Sequence, residues 1–311
     1  MERTALGRAQ WKVETEELSS ANSASEVVQS ERNQLSKDHS ALFTLNSSLR
    51  GVYIIWYRDV LRFVRDRPRI IAAMAQPTLY LLIFGSGVSS AMRGPTASGA
   101  DYLQFLFPGV VGMTVLFTSV FTAMSIVWDR EFGFLKEVLV APVSRTAVAI
   151  GKALGGSTQA VLQGSIVLLL APLAGVSLSP ITIVTVLPLM FLLAFALTSL
   201  SIALAARMRS MEGFQVMMNF FMMPLFFLSG ALFPLSGLPE WLTVLTLLDP
   251  ATYGIDPIRR IIMTGSGYSP EAMPALVLFG VQLSIAHEIA ILAGFAALML
   301  AFAVRAFAQQ D

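Results

Sequence analysis

The sequence contains no cysteine and only two histidines, His39 and His287. The first absence removes disulfide frameworks, thiolate zinc sites and cysteine nucleophiles together, and leaves the redox compartment open. The second bears on metalloprotease chemistry. His287 and Glu288 are followed by Ile291 where the H-E-x-x-H pattern needs its second histidine. Charge is scarce too. Only 13% of the residues are Asp, Glu, Lys or Arg and 55% are hydrophobic, whereas soluble domains carry roughly 25% charged residues. Such a chain needs lipid as its solvent. A net charge of +1 gives it no polybasic character, which argues against nucleic acid as a partner, because phosphate binding rests on clustered Lys and Arg. No G-x-S-x-G elbow occurs for a serine nucleophile. Nor does a G-x-x-x-x-G-K-[ST] phosphate loop, since Gly151 and Lys152 are followed by Ala153 and no glycine precedes them at the required spacing. The expectation is a chain with no catalytic residue, metal or cofactor of its own, and a nucleotide, where one is used, bound to another polypeptide.

What is present is a series of long apolar segments. Spanning a hydrocarbon core of about 30 Å takes roughly twenty apolar residues in a helix, because lipid offers no partner to backbone N–H and C=O groups. Six segments meet that requirement: Ile70 to Val88, Leu106 to Trp128, Ala147 to Ala171, Ile181 to Ala206, Phe214 to Phe233 and Ile285 to Val304. The expected fold class is therefore an all-α integral membrane protein with six transmembrane helices over residues 70–311. Lys and Arg placement sets its orientation. With both termini in the cytoplasm, Arg58, Arg62, Arg65, Arg67, Arg69, Arg130, Lys136, Arg145, Lys152, Arg207, Arg209 and Arg305 lie inside, and only Arg93, Arg259 and Arg260 lie outside.

The connections carry further signals. Residues 1–48 are polar, rich in Ser, Glu and Gln, with no short apolar core before a small-residue cleavage site, and read as a retained cytoplasmic tail. Residues 49–69 have an interfacial pattern, with Leu49, Val52, Tyr53, Trp56, Val60, Phe63 and Val64 on one face and Arg58, Arg62, Arg65 and Arg69 on another. Such a helix anchors the chain at the membrane surface, with Trp56 and Tyr57 at the interface, or docks a partner. Residues 129–146 read as a cytoplasmic loop holding a short amphipathic helix, bent at Gly133 and ended by Pro142. Residues 234–284, punctuated by Pro239, Pro250, Pro257, Pro270 and Pro274, read as a folded outer cap.

Ion-coupled carriers usually need ionisable groups inside their spans. The mid-span polar groups here are amides, Gln76, Gln159, Gln163, Gln215 and Asn219, which bond between helices but do not shuttle protons. Energy for transport must come from elsewhere, and a passive channel or a membrane enzyme lacks its expected charges or nucleophiles. Glu288 and His287, near the outer end of the last span, are expected to serve a structural role at the interface in preference to ion coupling. Gly151 and Gly155 form a G-x-x-x-G, and Gly109 and Gly112 a second small-residue pair, both read as packing within one subunit in preference to a dimer contact. In the fifth span Met217, Met223, Phe220, Phe227 and their neighbours crowd around Pro224 beside Asn219. Soft side chains and a backbone break suit a pathway for varied lipophilic cargo, and equally suit contact with lipid.

Three stretches together resemble a known family. They are R-E-F-G-F-L-K-E-V-L-V-A-P-V-S-R from Arg130 to Arg145, P-L-F-F-L-S-G-A-L-F-P from Pro224 to Pro234, and D-P-A-T-Y-G-I-D-P-I-R-R from Asp249 to Arg260. The chain resembles the type-2 ABC exporter permeases, and among them the daunorubicin-resistance-like drug-export branch, over about residues 49–307. Lys136 departs from the small polar residue of many relatives, and the long tail exceeds that branch. The resemblance implies a coupling helix in which Arg130, Glu131, Phe132, Gly133, Leu135, Glu137, Pro142 and Arg145 meet an ATPase. It also implies a homodimer or paired permease on two ABC ATPase subunits that carry ATP and Mg, in a bacterial or archaeal cytoplasmic membrane. Cargo would be a drug-like molecule, lipid or glycolipid moved outward, with polysaccharide or teichoic-acid export as the sister alternative.

Overall fold

The computed structural model describes residues 48–91, 99–131, 144–208, 210–235, 237–268, 276–278 and 281–308. The polar tail and most of the 129–146 loop lie outside the described residues. Helix α1 covers residues 48–65, and α2 Arg67–Ala91, α3 Gly99–Thr122, α4 Met124–Glu131 and α5 Arg145–Leu168 follow. After a single 3-10 turn at Ala171–Ala174 come α6 Pro180–Ala205, α7 Met211–Leu228, α8 Glu240–Leu248, α9 Thr252–Gly265 and α10 Ile285–Ala308. A short antiparallel hairpin, β1 Val277–Leu278 with β2 Val281–Gln282, stands before α10.

Each predicted span has a helix. Among the described residues four stretches, Tyr102–Glu131, Pro180–Ala205, Met211–Leu228 and Ile285–Phe307, are long and apolar enough to cross a membrane. In α2 the apolar part runs over Ile70–Ile83 only, and α5 is diluted by Lys152, Gly155, Gly156, Ser157, Gln159 and Gln163. Sequence-local chemistry starts three helices in the same way. Ser144, Ser179 and Ser210 accept the backbone N–H of Ala147, Thr182 and Gly213, satisfying a donor that has no partner inside its helix. The prolines inside α2, α3, α6, α7 and α9 are tolerable where neighbouring helices compensate for the lost N–H.

The bundle is organised around α3 and α6. Both pack against α5 and α9, α2 lies against α3, and α10 lies against α6 and α5. Leu106, Phe107, Met113, Leu116, Met190, Leu193 and Leu197 fill the centre with almost no exposure. Glycines set the closest approaches. A Cβ on Gly112 would lie 2.6 Å from Ile255 Cγ1 and one on Gly254 2.7 Å from Leu193 Cδ1, so α9 is drawn against both central helices.

That placement revises the expected outer cap. Residues 234–284 do hold two helices, but α9 buries nearly every residue from Thr252 to Arg259 and is part of the core. By contrast α7 touches the bundle along one stripe, Phe214, Met218, Met222 and Phe226, each four residues from the last.

Candidate functional site

The region with the most unusual chemistry is where α1 meets α5. Gly51, Ile55, Asp59 and Phe63 form the buried stripe of α1. The expected apolar face is therefore rotated: Leu49 is 68% exposed, Tyr53 59%, and Val64 is exposed as well. The reason is on α5. Gly151 and Gly155 leave a shallow groove, in which a Cβ on Gly151 would stand 2.9 Å from Ile55 Cβ and one on Gly155 3.1 Å from Asp59 Cβ. Trp56 is only part-buried and its Nε1 donates to Thr158 Oγ1 at 3.0 Å, so it binds α5 as well as facing outward. Arg62 and Arg65 are exposed. Arg58 turns to its neighbour Asp59 at 3.2 Å.

Lys152 is the centre of this contact. Its ammonium is 3.4 Å from Asp59 Oδ2 and 3.2 Å from Asp129 Oδ2, and it donates to Ser125 Oγ at 3.1 Å. Burying an ammonium costs several kcal/mol unless paired and hydrogen-bonded partners offset the loss of water. Here two carboxylates and a hydroxyl do so, drawn from α1 and α4. The positive-inside pattern assigned Lys152 to the cytoplasmic flank, but it is buried inside the bundle.

Asp129 lies two residues before the end of α4, where the predicted coupling segment begins. Arg130 Nη1 donates to Met208 O at 2.7 Å, and Glu131 Oε2 accepts from Met211 N at 3.0 Å. Both side chains reach the turn between α6 and α7. Met211 opens α7, so the Glu131 carboxylate lies at the positive end of that helix dipole, not in the first turn of its own helix. Phe132, Gly133, Leu135, Glu137 and Pro142 fall outside the described residues, and Arg145 is half-buried in the first turn of α5.

Above this ring of charges is a cavity of about 530 Å³. Asp59, Arg62 and Asp66 line one end, while Gln76, Gln159, Gln163, Thr114 and Thr118 line it further along with Phe117 and Phe121. Three of the five predicted mid-span amides thus converge, although Gln76 and Gln163 are far apart in sequence. Gln159 Nε2 donates to Asp59 O at 3.2 Å, and Gln163 Nε2 lies 3.5 Å from Ile70 O. The volume lies in the range of roughly 300–1,000 Å³ typical of small-molecule sites.

The expected pathway on the fifth span lies elsewhere. Met217 is half-buried and Asn219, Phe220, Met223, Pro224 and Phe227 are exposed, Phe220 by 73%. None of them lines the cavity. Sequence reading found the amides but not the cavity, because a set of polar residues on separate helices declares no common enclosure.

A second buried cluster joins α9 to α10. Arg260 Nη2 pairs with Asp256 Oδ2 at 2.8 Å and with Glu288 Oε1, and Glu288 is completely buried. Arg259 Nη2 donates to Gly230 O at 2.6 Å and Ala231 O at 3.0 Å, with its guanidinium 4.1 Å from the Phe105 ring centroid. Glu288 was read as an interfacial residue. It is instead an internal counter-charge, and the i, i+4 spacing of Asp256 and Arg260 was the available sign of an ion pair.

Residues 50–263 match the family model described as ABC-2 type transporter. The chain is 28% identical over 252 residues to the ycf38 chain of Cyanophora paradoxa, which bears the name of a transport permease, covering 80% of this chain and 87% of that one. Against Nodulation protein J of Rhizobium meliloti (strain 1021) it is 27% identical over 212 residues, 67% of this chain and 80% of the relative. Against YbhR of Escherichia coli (strain K12), named as a multidrug ABC transporter permease, it is 31% identical over 170 residues, 52% of this chain and 45% of the relative. With its family match and its long apolar helices, this multi-pass membrane chain belongs to the ABC-2 type transporter family, the membrane permease subunits of ABC transporters, whose ATPase is a separate subunit.

Proposed function

We propose that the chain is the permease of an ATP-driven exporter that moves a lipophilic compound, drug-like or lipid-like, from the cytoplasm or inner leaflet outward. The observation that carries this reading is the double tie of Arg130 and Glu131 to Met208 and Met211. Movement of the segment beginning at Arg130 is delivered through one hydrogen bond to the turn before α7 and one to the first residue of α7, the helix of Met217, Asn219, Phe220, Met223, Pro224 and Phe227. The segment from Arg130 to Arg145 receives that movement from an ABC ATPase, two copies of which bind ATP and Mg beneath a permease dimer. α1 sits at the cytoplasmic surface with Arg62 and Arg65 facing anionic lipid headgroups. All six apolar helices span, both termini face the cytoplasm, and the drug-export branch is favoured by the multidrug name of the E. coli relative. Nodulation protein J carries no such name, and polysaccharide or teichoic-acid cargo is the alternative.

Topology and coupling are tested separately. With no native cysteine to interfere, an impermeant maleimide applied to intact cells should modify Ser266→Cys and leave Ser144→Cys untouched; the reverse pattern inverts the topology. The isolated chain should hydrolyse no ATP above background, and export should require a co-expressed ATPase. Robust hydrolysis by the purified chain alone sinks the reading.

A further inference from the structure

The cavity beside α1 presents several hydrogen-bond acceptors alongside the amide of Gln76 and the hydroxyl of Thr118. Thr114 Oγ1 donates to Val110 O at 2.8 Å and Thr122 Oγ1 to Ser119 O at 2.8 Å, so both hydroxyl protons are used on their own helix and the oxygens remain as acceptors. Gln163 is fully buried, lines the cavity, and its Oε1 has no hydrogen-bond partner among the described residues. A buried acceptor left unsatisfied loses its hydration without compensation, a loss that a donor from a bound molecule would recover. The charges at the near end cancel. Asp59 and Asp66 are balanced in number by Arg62 and Lys152 in the lining, and Lys152 is already committed to Asp59 and Asp129. No net charge is left to compensate an ion taken out of water. Phe117, Phe121, Met113 and Phe63 supply apolar walls.

From this complementarity we infer that each protomer holds its own ligand site in this cavity, selective for an uncharged amphiphile whose head group carries hydrogen-bond donors, hydroxyl or amide, over cationic or anionic amphiphiles of the same chain length. The donors meet Gln163 Oε1, Thr114 Oγ1 and Thr122 Oγ1, and the apolar body lies against Phe63, Phe117 and Phe121. That this ligand is cargo rests on the exporter reading above. Binding itself does not, since it needs neither ATP nor the ATPase.

The absence of native cysteine makes the test direct. Thr118→Cys places a thiol on the cavity wall of the full chain in lipid nanodiscs, and its rate of modification by N-ethylmaleimide reports occupancy. Octyl glucoside, kept below its micellar concentration, should slow modification, and octyltrimethylammonium and octyl sulfate at equal concentration should not. A glucosyl diacylglycerol added to the nanodisc lipid forms a further arm. Protection by octyl glucoside alone marks a water-borne compound, and protection by both marks a membrane lipid as the source of the head group. Combining Gln163→Leu with the reporter should raise the octyl glucoside needed for half-protection by about tenfold, the equivalent of roughly 1.4 kcal/mol. Should that variant fail to fold, Thr114→Val removes a second acceptor with the shape kept and should shift protection in the same direction. Equal protection by all three octyl compounds, no protection by any, or protection unchanged in Gln163→Leu and Thr114→Val would each overturn the assignment and leave a hydrated or purely apolar void. A loss of ATP-driven export with protection intact would count against the exporter reading and not against the site.

Discussion

The carboxylate of Glu131, at the last turn of α4, accepts the backbone N–H of Met211 at the first turn of α7, 80 residues later in the chain. A helix normally recruits its N-terminal acceptor from its own preceding residues, and α7 does this too, with Ser210 bound to Gly213. Glu131 is an additional acceptor, brought in from the other side of a connection.

Glu131→Gln keeps an oxygen near Met211 and removes the charge. Near a helix N-terminus a carboxylate contributes about 0.3–1 kcal/mol, so yield and membrane insertion should change little. Export with the cognate ATPase should fall severalfold. Met211→Pro tests the same bond from the other end, because proline suits the first helical position but has no N–H to donate. The two variants should share a phenotype, and normal export in both would reduce Glu131 to a helix cap.

Lys152→Met leaves Asp59 and Asp129 without their shared cation. Removing one partner of a buried ion pair costs roughly 3–5 kcal/mol, and a clear fall in the thermal midpoint of the purified chain should follow. Adding Asp59→Asn and Asp129→Asn to Lys152→Met removes the stranded charges and should restore most of that loss. Equal melting of the single and triple variants would show that the network carries no stranded charge.

Gly151→Val should lift α1 from α5. The new Cβ alone would stand 2.9 Å from Ile55 Cβ, closer than packing allows, and 3.1 Å from Val52 O, tighter than ordinary contact, and overpacking of this kind costs about 1–3 kcal/mol. The indole of Trp56 should lose its bond to Thr158, detectable as a change in emission against a Trp56→Phe background. A substitution at Gly294, where nothing lies within 4 Å of an added Cβ, should leave that emission unaltered.

Asp249 gives the stability of the chain a pH dependence. Burial pushes its carboxyl up to about 8 from 3.8, opposed by the hydrogen bond it accepts from the Ala251 N–H. Between those values the folded chain keeps a proton that the unfolded chain has released, so stability falls as pH rises through that window and levels off above it. Asp249→Asn should flatten this slope. Some slope should remain, because burial also raises Asp256, against the opposing pull of Arg260 and Arg259. An unchanged slope in Asp249→Asn would place the titration elsewhere.

Hydropathy located every long helix, because the need to satisfy backbone groups in lipid is written in composition over about twenty residues. It also marked Gly151 and Gly155 as a contact within one subunit, since a missing Cβ is a property of single positions. Rotation of α1 was harder to read. Its stripe of Ile55, Asp59 and Phe63 includes a carboxylate, which periodicity counts as outward until Lys152 is seen opposite it. The same reasoning explains α9, whose Asp256, Arg259 and Arg260 look like a water-facing surface and are matched by Glu288 and by the carbonyls of Gly230 and Ala231. The cavity is a property of six separate helices, and pair relations of that order are not contained in any local pattern.

The cluster of α9 and α10 bears on the order of assembly during synthesis. Asp256, Arg259, Arg260 and Glu288 sum to zero charge, but Glu288 belongs to α10 and leaves the ribosome after α9. Until then α9 carries an excess positive charge that lipid does not accept. Its seat between α3 and α6 can be occupied at low cost only after α10 arrives, so the bundle closes from its C-terminal end. A translation arrest shortly before Ile285 would therefore hold the chain as a partly inserted intermediate, with α9 still in contact with water or the insertion machinery.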